Sequence, residues 1–152
     1  MVKLLITRYL KRRHLLAQSA LKQRYLVIDL ELTGLDPKQH EIVSVAWVLI
    51  ENQCIKNSQS QHIVNKEVKS LEQSPVFHGI STDSVAQGQS LQSILMSLSA
   101  HFSDCILVFH NAMLDWGFLK LAIKNAGFTQ RPKLIIDTLQ IEEKRLLQHA
   151  SD

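Results

Sequence analysis

Two carboxylates stand at positions i and i+2 of the segment Tyr25-Leu26-Val27-Ile28-Asp29-Leu30-Glu31-Leu32. The short apolar run with aromatic and β-branched members reads as a strand buried on both faces. Side chains alternate across a strand, so Asp29 and Glu31 point the same way as Tyr25 and Val27, with Leu26, Ile28, Leu30 and Leu32 on the other face. Two like charges on one face of a buried strand repel each other and lose hydration. A divalent cation neutralises both, and hard oxygen ligands suit magnesium or manganese. A strand end that emerges into solvent explains the same pair. A third acid, Asp115, follows His110-Asn111-Ala112-Met113-Leu114 and falls in the first turn of an expected helix, where the macrodipole favours a carboxylate. The three acids converge if the strand Ile106–Phe109 lies beside the first one.

The elements that must position them follow from periodicity and punctuation. Residues 4–21 carry a loose helical stripe. Gly34 and Asp36-Pro37 turn the chain after the acidic strand. Residues 41–49 and 53–64 read as strands joined at a tight Glu51-Asn52 turn, a hairpin. Residues 67–90 are polar and loop-like, with one apolar island at 75–81. Residues 91–102 have helical spacing, residues 114–125 form a helix capped by Ala126-Gly127, and residues 134–136 form a last strand. Asp137 or Thr138 could cap a closing helix through Leu147. The order indicates a layered α/β or α+β sheet with antiparallel and parallel parts.

A chain of 152 residues forms one domain with a real core. It has no apolar run long enough to cross a bilayer. Cys54 and Cys105 lie far apart, as small core residues in a reducing, cytoplasmic setting would. The net charge of +3 hides an asymmetry: seven basic residues and no acid precede Asp29, and the rest nets −4. Residues 1–24 therefore read as a basic helical arm, and residues 25–152 as the domain proper. Such an arm suits phosphates or another acidic surface, a solvated helix face, or a mitochondrial presequence.

Four landmarks appear in order: Asp29-x-Glu31-x-Thr33-Gly34, Phe77-His78-Gly79-Ile80, His110-Asn111-Ala112 ending in Asp115, and Ile136-Asp137-Thr138-Leu139. Over residues 25–147 the chain resembles the DEDD superfamily of 3′→5′ exonucleases, in its proofreading, epsilon-subunit (DnaQ-like) branch. The resemblance implies an RNase H-like mixed sheet of three antiparallel and two parallel strands flanked by helices. It implies that Asp29, Glu31 and Asp115 are catalytic and ligate two magnesium or manganese ions. One ion would activate a water for in-line attack on the terminal phosphodiester, and the other would stabilise the departing 3′ oxygen. The product would be a nucleoside 5′-monophosphate. Thr33, Gly34, His78 and Asn111 would line the pocket for the 3′-terminal nucleotide. The partners implied are the single-stranded or frayed 3′ end of DNA, with RNA possible, and a DNA polymerase subunit.

The sequence departs from the family pattern in three places. Leu32 stands where a threonine is usual, and Leu114 where a phenylalanine is. The third motif, a His-x-x-x-x-Asp that supplies the general base, has no counterpart: His149-Ala150-Ser151-Asp152 has the residue types without the spacing. The expectation is thus an exonuclease fold truncated at its C-terminus and weak on its own, since losing a general base removes about 10²–10⁴-fold of rate. The competing reading is a non-catalytic module that retains the fold and binds nucleic acid or a polymerase.

Overall fold

The computed structural model describes Arg13, residues 17–69, Ile80 and residues 82–149. Most of the expected helix at 4–21, and all of the island at 75–81 except the buried Ile80, lie outside the described residues, His78 among them. At the end of that expected helix, Ala20–Lys22 forms a single 3₁₀ turn.

The acidic segment is strand β1 (Tyr25–Leu32), and it pairs antiparallel along its length with β2 (Ile42–Glu51). β2 turns back at Asn52 and Gln53, whose φ angles of 53° and 64° are both left-handed. That pair of angles matches the right-handed twist of the flanking strands, so the turn centres one residue later than Glu51-Asn52. The strand expected over 53–64 is two short ones, β3 (Cys54–Ile55) and β4 (Gln61–Val64), both antiparallel to the far edge of β2. A 3₁₀ turn at Asn57–Gln59 separates them. The polar stretch Asn57-Ser58-Gln59-Ser60 has no apolar side chain to hold it on the sheet. Cys54 lies exposed on this edge, against the expectation of a core residue, whereas Cys105 is buried.

Within the 67–90 segment, α1 (Thr82–Ala86) is a short helix, and Asn65 and Gln89 form an isolated bridge. α2 (Leu91–Ser99) ends three residues sooner than its spacing suggests, and the Ser90 hydroxyl caps it by accepting from Ser93 N–H at 3.2 Å. β5 (Ile106–Phe109) runs parallel to β1. α3 (Ala112–Asn125) then crosses to β6 (Ile135–Asp137), parallel to β5, and α4 (Thr138–His149) follows. Parallel neighbours require such a crossover helix. The sheet order is β3/β4, β2, β1, β5, β6.

α3 stops by geometry that its sequence encodes. Gly127 takes φ +75°, the Gly127 N–H donates to Lys124 O at 3.2 Å, and the Phe128 N–H donates to Ile123 O at 3.1 Å. This is the paired-bond helix terminus that favours glycine.

The core lies on one side of the sheet. Leu26, Ile28 and Leu30 of β1 and Val45, Trp47 and Leu49 of β2 meet Ile94, Leu95 and Leu98 of α2 and Phe118, Leu119 and Ile123 of α3. Each such burial contributes about 1.5–3 kcal/mol. The opposite face differs from expectation. Asp29 is exposed, and Tyr25, Val27 and Glu31 are only half-buried. β1 is therefore buried on one face, and its acidic face is open to solvent among the described residues. Alternation survives because α2 and α3 both pack on the leucine side.

Candidate active site

Topology brings the acids to one end of the sheet. β1 and β5 are parallel with Tyr25 level with Ile106 and Val27 level with Val108; continuing that register sets Asp29 level with His110. Phe109 is level with Asp137 across β5 and β6. The ends of β1, β5 and β6 thus present Asp29 and Glu31, the residues that open α3, and Asp137 in one row. Ligands of α/β sheets gather beyond the carboxyl ends of parallel strands for this reason.

The entry to α3 is built to hold Asp115 there. Asn111 adopts φ 77° and ψ 61°, a left-handed conformation that asparagine tolerates better than most residues. This reverses the chain between strand and helix. Asp137 secures the reversal: Oδ1 accepts from the Asn111 N–H at 3.2 Å and Oδ2 from the Ala112 N–H at 2.9 Å. Oδ1 also accepts from Leu139 N–H at 3.0 Å and Gln140 N–H at 3.5 Å. One carboxylate therefore caps α3 and α4 together. Thr138 donates its hydroxyl to Phe109 O at 3.2 Å, and its Oγ1 lies 3.0 Å from His110 Nδ1. Sequence reading offered Asp137 or Thr138 as the cap of α4; the second role of Asp137, on α3, depends on β6 lying beside β5.

Asp115 is 5% exposed. Its carboxylate accepts no hydrogen bond from the described residues, although it sits at a helix N-terminus. Burial raises its pKa to about 7, helped by the charges of Asp29, Asp137 and Glu31 in that order. Desolvation thus outweighs the macrodipole, and three sequence-distant acids are close enough to repel it. Among the described residues no three acidic, histidine or cysteine side chains are already closed to ligand spacing around one point. The donor chemistry nevertheless fits a hard divalent cation: oxygen donors alone, all of one sign.

The expected pocket residues divide. Thr33 closes the β1–β2 connection: its N–H donates to Glu41 O at 3.0 Å, and its Oγ1 accepts the Glu41 N–H at 2.9 Å. The hydroxyl hydrogen is left over for another acceptor. Gly34 lies against the His40 ring, which a Cβ would strike; His40 Nδ1 is in turn 3.2 Å from Asp36 N and 3.1 Å from Asp36 O. Gly34 is thus required by packing, whatever it does for a ligand. Leu32 and Leu114, the departures from the family pattern, are both partly buried against the core. On the open face Asp29 lines a shallow cavity of about 380 Å³ with Val27, Ala46, Val48 and His62. His62 Nε2 lies 3.1 Å from Ser44 Oγ. Neither residue stood out in the sequence, because only the β1–β2–β4 pairing puts them on the face of Asp29.

A mixed sheet with clustered carboxylates at the ends of parallel strands defines an RNase H-like nuclease class, and residues 26–149 match the family model described as Exonuclease (RNase_T). The chain belongs to this exonuclease family, within the DEDD superfamily. It is 33% identical over 123 residues to the 3′-5′ exonuclease DinG of Bacillus subtilis (strain 168), covering 79% of this chain and 13% of that protein. The chain thus spans about 13% of the length of the curated relatives it matches. Among solved structures, product-bound exonuclease I superposes with a TM-score of 0.70 at 12% identity, over 80% of this chain and 31% of that one. Escherichia coli exonuclease I in complex with a dT13 oligonucleotide gives 0.67 at 12% identity, over 79% and 29%. At that identity the likeness speaks for the fold, and the RNase H-like sheet expected from the motifs is the fold observed.

Proposed function

We propose that this chain hydrolyses the 3′-terminal phosphodiester of single-stranded or frayed DNA in a metal-dependent reaction, releasing nucleoside 5′-monophosphates. The observation that carries the reading is that the buried residue Asp115, from a separate part of the chain, lies close enough to Asp29 and Glu31 for their charges to raise its pKa. Asp29, Glu31 and Asp115 would hold two magnesium or manganese ions. When bound, these supply the charge neutralisation and Lewis acidity that phosphodiester hydrolysis needs. The chain's own residues do the rest. Asp137 fixes the α3 terminus and so the position of Asp115. Thr33 retains a hydroxyl hydrogen for the terminal nucleotide, Asn111 shapes the backbone beside it, and the family resemblance would add His78 to the substrate-binding residues.

DNA is favoured because E. coli exonuclease I, of the same fold, is known in complex with an oligodeoxynucleotide. The motif order also supports a proofreading, epsilon-like role beside a DNA polymerase. Digestion of a 3′-labelled single strand with magnesium tests the proposal. Mononucleotides should appear with the wild type and vanish with Asp29→Ala or a chelator. Binding of the strand without any metal-dependent release would make the chain a binding module and overturn the enzyme reading.

A further inference from the structure

A second surface, away from the carboxylates, has the opposite charge. Between α3 and the segment leading into β6 runs a groove of about 460 Å³ lined by Trp116, Lys120, Arg131, Pro132, Lys133, Leu134 and Ile135. Lys120, Arg131 and Lys133 are exposed, and no acidic side chain lines the groove. Among the described residues no ion pair joins any of the three cations to a carboxylate. The domain from Asp29 onward nets −4, so three unpaired cations in one concavity run against its overall sign. Trp116 and Lys120 are four residues apart and share one face of α3. Trp116 is also anchored, its ring 6.1 Å from Phe102 and 6.4 Å from Phe109 between centroids. The groove has a packed aromatic wall and exposed cationic tips.

We infer that this groove binds the phosphodiester backbone of the nucleic acid whose 3′ end enters the carboxylate site. The inference rests on the proposed exonuclease function for the identity of the strand. Trp116 directly follows Asp115, and Lys120 stands about 7.5 Å further along the helix axis. Arg131 and Lys133 precede β6 at the opposite end of the sheet, so the groove runs from the turn of α3 after Asp115 away from the carboxylates. Backbone cations hold and orient a strand without reading its sequence. They also offset the repulsion between a polyanion and an acidic domain. A strand long enough to reach the groove gains binding that a dinucleotide does not.

The test is the triple variant Lys120→Gln, Arg131→Gln, Lys133→Gln, which keeps side-chain bulk, beside a control of equal charge loss, Lys66→Gln, Lys69→Gln, Lys144→Gln. Binding of a fluorescent 20-nucleotide single strand is measured with chelator across salt concentrations, and hydrolysis of a dinucleotide and of the 20-mer with magnesium. For three lost contacts at about 0.7 each, the salt slope of the groove variant falls by about 2, and its affinity at 0.15 M salt drops on the order of ten- to fifty-fold. KM rises for the 20-mer, dinucleotide hydrolysis is unchanged, and the control resembles wild type. Equal affinity and slope for wild type and groove variant would overturn the inference, as would an equal loss in the control. Displacement of the 20-mer by polyglutamate as readily as by unlabelled oligonucleotide would also overturn it, making the groove a general polyanion site. Wild type that binds the 20-mer through the groove yet cleaves nothing would fail the exonuclease reading and leave the groove standing.

Discussion

Asp115 carries the electrostatic tension of the site, and its pKa gives that tension a sign. The ordinary value of 3.8 rises to about 7 in the folded protein, so the fold prefers the protonated acid. The contribution is fully favourable below pH 3.8 and is lost as pH rises through about 7. The loss is about 4 kcal/mol at 1.36 kcal/mol per unit. In urea denaturation with chelator at pH 8, Asp115→Asn should therefore be more stable than wild type, and below pH 4 the two should converge. The same variant should lose any stabilisation by magnesium. Gly34 makes a second residue-scale prediction. Gly34→Ala drives a methyl group into the His40 ring, which overpacks the turn after β1 and should cost about 1–3 kcal/mol in the same assay. Both residues were visible in the sequence. What was hidden is that Asp115 is buried and that Gly34 answers to an imidazole six positions away.

At the scale of elements, α3 and α4 are joined at their N-termini by the Asp137 carboxylate. Asp137→Ala leaves several helix-terminal N–H groups without that acceptor and should cost about 2 kcal/mol. Asp137→Asn keeps one acceptor oxygen and should recover part of the stability. Because the lost contacts fix the helix that bears Asp115, kcat of the Ala variant should fall more than KM rises. The strand-to-helix reversal at Asn111 makes a matching prediction. Asn111→Gly should be nearly neutral for stability. Asn111→Ala at φ 77° should cost about 1–2 kcal/mol, measured by thermal or urea denaturation. Strand and helix types were largely legible, because Leu26, Ile28 and Leu30 alternate and Ile94, Leu95 and Leu98 recur at helical spacing. The break between β3 and β4 and the length of α2 were less legible, since polar stretches and helix ends are decided by what they pack against.

At the scale of the molecule, the sheet separates two tasks. One face holds the core under α2 and α3, and the other holds Asp29 and His62 in the open. Leu119 is wholly buried at the centre of the core, so Leu119→Ala should cost about 2–5 kcal/mol. A cation that binds the folded site and not the unfolded chain must raise stability by mass action. Magnesium or manganese should therefore raise the melting temperature of wild type, and Asp29→Ala combined with Glu31→Ala should abolish the rise. An equal rise in that double variant would mean the ions bind elsewhere.

The sequence by itself determined the acidic strand, its companion helix acid, the alternating pattern that buries the leucines, and the motif order of an exonuclease. Those features are local: a carboxylate's chemistry, a period of two or of 3.6, a glycine past a helix end. Tertiary structure alone decided that α2 and α3 would both pack on the leucine face of β1, that Asp137 would serve two helices, and that Lys120 would share a groove with Arg131 and Lys133. These depend on which strands become neighbours. Pairing across dozens of residues is selected by the burial of the whole sheet, and no short stretch of sequence contains that free energy.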